Sequence, residues 1–190
     1  MQKVVILAQQ GSGTNLLRSF LGSHKDIYFA DELFVTRKDK TGDYQNSKDS
    51  TEVFLNEFFN TRKEDVVGFD LKYNQINNEI LNYIDHGEFL VIHLIKDVGR
   101  TFLKNITEPG QVMTYEEMLS YATRINGLIT QYRGKYKGNR YLEITYEDMT
   151  RGYEISKLPE DFELKVLKFL GVKYTKLKMT DVGKALDKRF

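Results

Sequence analysis

The chain contains no cysteine, which excludes disulfide bridges, thiolate zinc sites and a cysteine nucleophile. Its three histidines, His24, His86 and His93, are widely separated, which argues against a histidine-based metal site. Only two prolines occur, Pro109 and Pro159, so no proline-rich linker divides the chain. Long apolar runs are missing as well. No window approaches a membrane span, and the run over residues 4–8 is too short for a secretory signal core. A reducing cytoplasm is the expected location. The formal net charge is only +1, so nothing global points to nucleic acid or a membrane surface, and any anion site must be local. What is present is 190 residues, 41% hydrophobic and 29% charged. That composition predicts one globular domain over residues 1–190.

The most informative stretch is residues 3–21, KVVILAQQGSGTNLLRSFL. An apolar, β-branched run is followed by a loop with Gly11 and Gly13, and then Leu16, Leu17, Phe20 and Leu21 recur at helical spacing. Strand, glycine loop and helix in this order suit a phosphate held on a helix N-terminus. Glycines let several backbone N–H groups point into one hollow, and the helix dipole adds positive potential there. Ser12, Thr14 and Asn15 add side-chain donors. The loop departs from the magnesium-nucleotide pattern, which needs Gly, four residues, then Gly-Lys-Ser/Thr. Ala8 stands at the place of the first glycine, and Thr14 and Asn15 follow Gly13. The dinucleotide fingerprint fails at Leu16, where its third glycine belongs. The expectation is an anion cradle with no metal ligand built in.

Further along, a turn at residues 23–26 leads to a short strand at 27–29 and an exit loop at 30–34. The polar stretch 36–50 reads as a surface loop or lid. A helix is predicted from Thr51 to about Thr61, with Val53, Phe54, Phe58 and Phe59 on its apolar face. Strand 66–72, helix 76–84, strand 88–95 and a helical pattern at 100–106 follow. Thr114 to Arg133 reads as a long helix opened by a capping box. Strand 140–145 precedes Tyr146-Glu147-Asp148-Met149, and helix 164–170 stops at Gly171. Strands alternating with helices predict a three-layer α/β/α fold with a mainly parallel central sheet. Ligands in such sheets bind at the carboxyl ends of the strands. That rule gathers Gly11 to Asn15, Asp31 and Glu32, Lys72 to Asn74, and Lys96 to Asn105 on one rim, with Tyr146 beside them. His93, inside an apolar strand, reads as a satisfied core histidine, and His24 as structural.

Three segments in register resemble the sulfotransferase family, which moves a sulfuryl group from 3′-phosphoadenosine 5′-phosphosulfate (PAPS) to an acceptor. GSGTNLLRSFLGSHKDI resembles the family's 5′-phosphosulfate loop, and VIHLIKDVGRTFLKN its 3′-phosphate segment. YLEITYEDM followed by KVLKFLGV resembles its Tyr-Glu-Asp-Leu and Phe-Leu-Gly run. The resemblance implies a P-loop NTPase-like sulfotransferase fold. It also implies a metal-free PAPS site that leaves 3′,5′-adenosine bisphosphate (PAP) as product, and a hydroxyl acceptor on a carbohydrate or small molecule. Gly11, Ser12, Gly13, Thr14 and Asn15 would cradle the 5′-phosphosulfate. Lys96 stands at the family's 3′-phosphate arginine, with Arg100 and Lys104 on the following helix, and Tyr146 matches an adenine-contacting tyrosine. Lys72 matches a lysine that steadies the sulfuryl group in transfer. Glu32, in the loop after the second strand, stands where some members keep a general base.

The departures from the family pattern are Gly11 at a basic position, Lys104 at a serine, Asn74 at a catalytic histidine and Lys96 at an arginine. They keep a non-catalytic, nucleotide-binding descendant as the alternative. A P-loop nucleoside or nucleotide kinase ranks behind it, because the loop lacks the phosphate lysine at the usual place.

Overall fold

The computed structural model describes residues 1–30, 33–34, 50–99, 114–151 and 157–179. The run QKVVILA forms β1, Gln2–Ala8, and its last five residues are fully buried. Such burial on both faces is what a central parallel strand requires. After the glycine loop comes α1, Thr14–Leu21, and then β2, Ile27–Ala30. The helix α2, Thr51–Asn60, leads to β3, Val66–Lys72. A single 3₁₀ turn, Tyr73–Gln75, precedes α3, Asn78–His86. The strand β4, Leu90–Ile95, is followed by α4, Tyr115–Lys135, and β5, Tyr141–Thr145. The short α5, Tyr146–Met149, and α6, Glu160–Phe169, complete the described elements.

The sheet has five strands in the order β2-β3-β1-β4-β5, and every pairing is parallel. β1 is central. Ala8 pairs with Lys72 on one side and with Leu94 on the other, so the ends of three strands meet beside the glycine loop. Alternate residues of β1 feed two cores. Val4, Ile6 and Ala8 pack with Leu17, Phe20 and Leu21 of α1 and Phe162, Val166 and Leu167 of α6. Val5 and Leu7 face the side covered by Leu55, Phe58 and Phe59 of α2, Ile80 and Ile84 of α3, and Ile125 and Ile129 of α4. The molecule is therefore a three-layer α/β/α sandwich.

Several boundaries move from their sequence-based positions. The helix after β3 starts at Asn78 rather than 76, because Asn77 supplies the cap, its Oδ1 accepting from the Ile80 N–H at 2.9 Å. α4 runs on to Lys135, and its capping box closes with Thr114 and Glu117 in reciprocal bonds of 3.2 and 2.7 Å. The apolar face of α2 also differs from expectation. Thr51, Leu55, Phe58 and Phe59 are buried, while Val53 is 46% exposed and Phe54 only half-buried. The stripe at i, i+4, i+7 and i+8 prevails because it packs Phe58 edge-on and Phe59 tilted against Phe69 of β3.

His93 is fully buried in β4 and bonded at both ring nitrogens. The Tyr141 hydroxyl donates to Glu143 Oε2 at 3.1 Å, so it accepts from His93 Nδ1 at 2.7 Å. Nε2 then accepts from the Tyr73 hydroxyl at 2.5 Å. One neutral tautomer satisfies the whole chain. Arg133 closes it with two 2.6 Å bonds to Glu143, holding that carboxyl below its usual range. Burial lowers the His93 pKa from 6.5 to about 4, against the opposing pull of Glu143. Between these values the unfolded chain binds a proton that the folded chain refuses, so stability falls as pH drops through that window. The loss from this group should be about 2 kcal/mol between pH 7.5 and 5. Urea denaturation of wild type and His93→Gln at both pH values should show a shallower pH dependence in the variant. Equal slopes would contradict the assignment.

Candidate functional site

The loop between β1 and α1 is shaped by two left-handed glycines, Gly11 at φ 81° and Gly13 at φ 94°. Only glycine adopts these angles without strain. The Ser12 N–H donates to the Gln9 carbonyl at 3.2 Å, and the Ser12 hydroxyl donates to the same oxygen at 2.7 Å. Ser12 is fully buried. Its hydroxyl thus closes the loop on itself, whereas the sequence suggested a donor facing outward. Gly13 caps α1 without a side chain, and its carbonyl accepts from the Leu17 N–H at 3.1 Å. A Cβ at Gly13 would lie 2.5 Å from Cδ2 of Tyr146, so the tyrosine ring packs directly on the loop. Thr14, the first residue of α1, is 4% exposed.

Beneath the loop lies a buried charge cluster. Asp70, at 2% exposure, is paired with the Arg18 guanidinium, Nε standing 3.4 Å from Oδ1. Its Oδ2 accepts from Lys72 Nζ, which also donates to Thr14 Oγ1. Arg18 reaches in two further directions. Nη1 donates to the Ala30 carbonyl at 2.8 Å and Nη2 to Asn15 Oδ1 at 2.6 Å. α1, β2 and β3 are thereby tied at one point. Asn15 contributes its side-chain oxygen to this tie.

On the other flank, Lys96 leaves the end of β4 with Nζ 4.3 Å from the centre of the Tyr146 ring, a cation–π contact. Tyr146 opens α5, which Thr145 caps by accepting from the Asp148 N–H at 3.0 Å. Glu147 Oε1 accepts from the Asp97 N–H at 3.4 Å, linking α5 to the segment after β4. The Gln9 amide donates to the Tyr121 hydroxyl of α4. Asn74 is exposed in the turn after Lys72.

Gly11 to Asn15, Lys72, Lys96 and Tyr146 therefore converge at the carboxyl ends of β1, β3, β4 and β5. Glu32, Arg100 and Lys104 lie outside the described residues. So do Asp31, the helical pattern at 100–106, residues 36–49 of the polar loop and the basic tail 182–189. Ser50, the last residue of that loop, caps α2. His24 is structural: Nδ1 accepts from the Asp26 N–H at 3.2 Å, and Nε2 lies 2.9 Å from the Lys173 carbonyl. Sequence reasoning missed Arg18 and Asp70. The signal was there in principle, as a carboxylate inside an apolar parallel strand and an arginine within an apolar helix stripe. Among the described residues no group of three His, Asp or Glu side chains could hold a metal ion. No helix among them is long and apolar enough to cross a membrane.

Gly13→Ala tests the close packing at the loop. Left-handed backbone costs a non-glycine residue about 1–2 kcal/mol, and the added methyl must also push the Tyr146 ring aside. Chemical denaturation should show a loss of at least that size. A neutral substitution would contradict the packing.

No protein-family model matches the chain, nor does any curated protein sequence. Solved structures do match. The mouse sulfotransferase SULT7A1 complexed with PAP superposes with a TM-score of 0.57 at 16% identity, over 99% of this chain and 63% of that one. The chain thus spans under two thirds of the mouse protein's length. The sulfotransferase domain of the curacin biosynthetic pathway gives 0.59 at 14% identity, over 92% of this chain and 76% of the domain. The sulfotransferase domain of the Synechococcus PCC 7002 olefin synthase gives 0.54 at 19% identity, over 92% and 74%. With its parallel five-stranded sheet and helices on both faces, the chain has the P-loop NTPase-like α/β fold of the sulfotransferases.

Proposed function

We propose that the protein transfers a sulfuryl group from PAPS to a hydroxyl of a carbohydrate or small-molecule acceptor. The observation that carries this reading is the Lys72 ammonium bonded to Thr14 Oγ1, where the glycine loop becomes α1. In this reading a cation lies beside an anion cradle at the carboxyl end of β1, the end of the strands at which open α/β sheets bind ligands. The residues present suit the donor. Gly11 and Gly13 give the loop left-handed backbone, the Tyr146 ring packs on Gly13, and Lys96 lies over that ring.

When bound, PAPS supplies the activated sulfuryl group. In this reading the backbone N–H groups of Gly11 to Asn15 hold its 5′ end. Lys96, Arg100 and Lys104 provide positive charge for the 3′-phosphate, and the Tyr146 ring offers a face to the adenine. Lys72 stabilises negative charge that develops on the leaving phosphate as the bond to sulfur breaks. Glu32 accepts the proton of the attacking hydroxyl. Residues 36–50 are the segment in which acceptor choice would reside, and the cytoplasm is the location that fits a soluble donor. One feature favours a second reading. Asn74, which cannot act as a base, is exposed at the end of β3. A descendant that binds nucleotide without transfer would carry such a substitution.

Thermal melting with PAP, AMP and ATP, each with and without magnesium, separates these readings. PAP at 100 times its dissociation constant should add about 2.7 kcal/mol, roughly 5 °C or more for a domain of this size, with no need of metal. A response to magnesium-ATP alone would replace sulfuryl transfer with kinase chemistry. Glu32→Gln should keep the PAP shift and lose turnover of radiolabelled PAPS in an acceptor screen. Unchanged turnover would remove Glu32 from the mechanism.

A further inference from the structure

Two cations face one carboxylate beneath the glycine loop, one more than neutrality requires. Asp70 is paired with both Arg18 and Lys72. The two are held in different ways. Arg18 stands with Nε 3.4 Å from Asp70 Oδ1, and it is fixed by its bonds to the Ala30 carbonyl and Asn15 Oδ1. Lys72 ends β3 and lies beside Asp70 because residues i and i+2 of a strand project to the same face. Its ammonium donates to Asp70 Oδ2 and to Oγ1 of Thr14, the first residue of α1. The Lys72 side chain is 14% exposed, against 9% for Arg18 and 2% for Asp70. Lys72 is therefore the cation that a ligand on the loop can draw away. Its departure leaves Asp70 neutralised by Arg18, so no buried charge is stranded.

We propose that Asp70 is an internal competitor for the anion: it holds the Lys72 ammonium while the cradle is empty, and the incoming phosphosulfate group takes Lys72 over from it. This tuning of donor affinity rests on the sulfuryl-transfer reading. Asp70 is a positioning residue, because it acts on the ligand through Lys72. Electrostatics fixes the sign. A carboxylate beneath an anion site repels the anion and also engages the lysine that the anion needs, so both effects weaken binding. In return the ammonium is kept beside Thr14, within reach of the loop. The product PAP has to leave after each turnover, and a limit on anion affinity favours that step. A carboxylate with a structural role alone would loosen the site when neutralised. Neutralising Asp70 should tighten it.

The test is calorimetric titration of PAP, and separately of inorganic sulfate, into wild type, Asp70→Asn, Lys72→Met and the double variant. Asp70→Asn should bind PAP about tenfold more tightly. Lys72→Met should bind it more weakly, and in that background the gain from Asp70→Asn should shrink to about threefold or less. A folded Asp70→Asn protein with unchanged or weaker affinity would overturn the proposal, as would an equal gain in both backgrounds. If Asp70→Asn does not fold, Asp70→Asn with Arg18→Gln takes its place. That pair leaves Lys72 as the single positive charge, the same net charge as Arg18 and Lys72 against Asp70, and it too should bind PAP more tightly than wild type; equal affinity would overturn the proposal. The sulfate arm separates the two readings. A wild type that ignores PAP but binds sulfate, with the same tightening in Asp70→Asn, would remove the nucleotide reading and uphold the role of Asp70. A wild type that binds PAP with no tightening in the variant would do the reverse, and silence towards both anions in every protein would overturn both.

Discussion

The candidate site depends on one buried carboxylate. Asp70 sits in the interior of β3 at 2% exposure and is faced by two cations, Arg18 and Lys72. A lone carboxylate there would be too costly to keep ionised, and a lone cation equally so. Arg18 carries the tie to the Ala30 carbonyl at the end of β2 and to Asn15 at the start of α1. Lys72 carries it to Thr14. The glycine loop, the second strand and the third strand therefore meet at fixed positions because one negative charge has to be satisfied.

The sheet order decides where this cluster opens. β1 is central, and the chain reaches β2 through α1 before returning to β3 beside β1. From β3 the chain crosses to β4 on the other side of β1, so the strand order switches direction beside β1, at whose carboxyl end the glycine loop stands. Gly13 lets the Tyr146 ring pack on the loop, and Lys96 Nζ lies over the centre of that ring. A separate network runs from Tyr73 through His93 and Tyr141 to Glu143 and Arg133. It fixes the turn that follows Lys72 without using any group of the cradle. Rigid support and charged contact thus come from different residues.

Much of this was legible in the sequence, for identifiable reasons. β3 was read with its observed bounds because VVGFDLK is apolar enough to demand burial on both faces. The capping box of α4 was legible because both of its bonds are local. The face of α2 was not, since Phe54, Phe58 and Phe59 allow two stripes and only the contact with Phe69 selects between them. The convergence of Gly11 to Asn15, Lys72, Lys96 and Tyr146 followed from the strand-end rule. The Asp70–Arg18 pair did not, because nothing along the chain connects a residue in α1 with one in β3. Ser12 misled for a similar reason: a hydroxyl in a glycine loop reads as a ligand donor, yet here it donates to the Gln9 carbonyl.

In the proposed function the cradle formed by Gly11 to Asn15, with Lys72 at its edge, receives the 5′-phosphate end of an adenosine nucleotide. The most direct measurement is a crystal structure of the protein soaked with PAP. The expected result is the 5′-phosphate on the N–H groups of that loop, with Lys72 Nζ and the Thr14 hydroxyl turned towards it and the adenine near Tyr146. PAP bound at the opposite, amino-terminal edge of the sheet, in the 760 Å³ cavity lined by Gln2, Asp65 and Gly171, would contradict it.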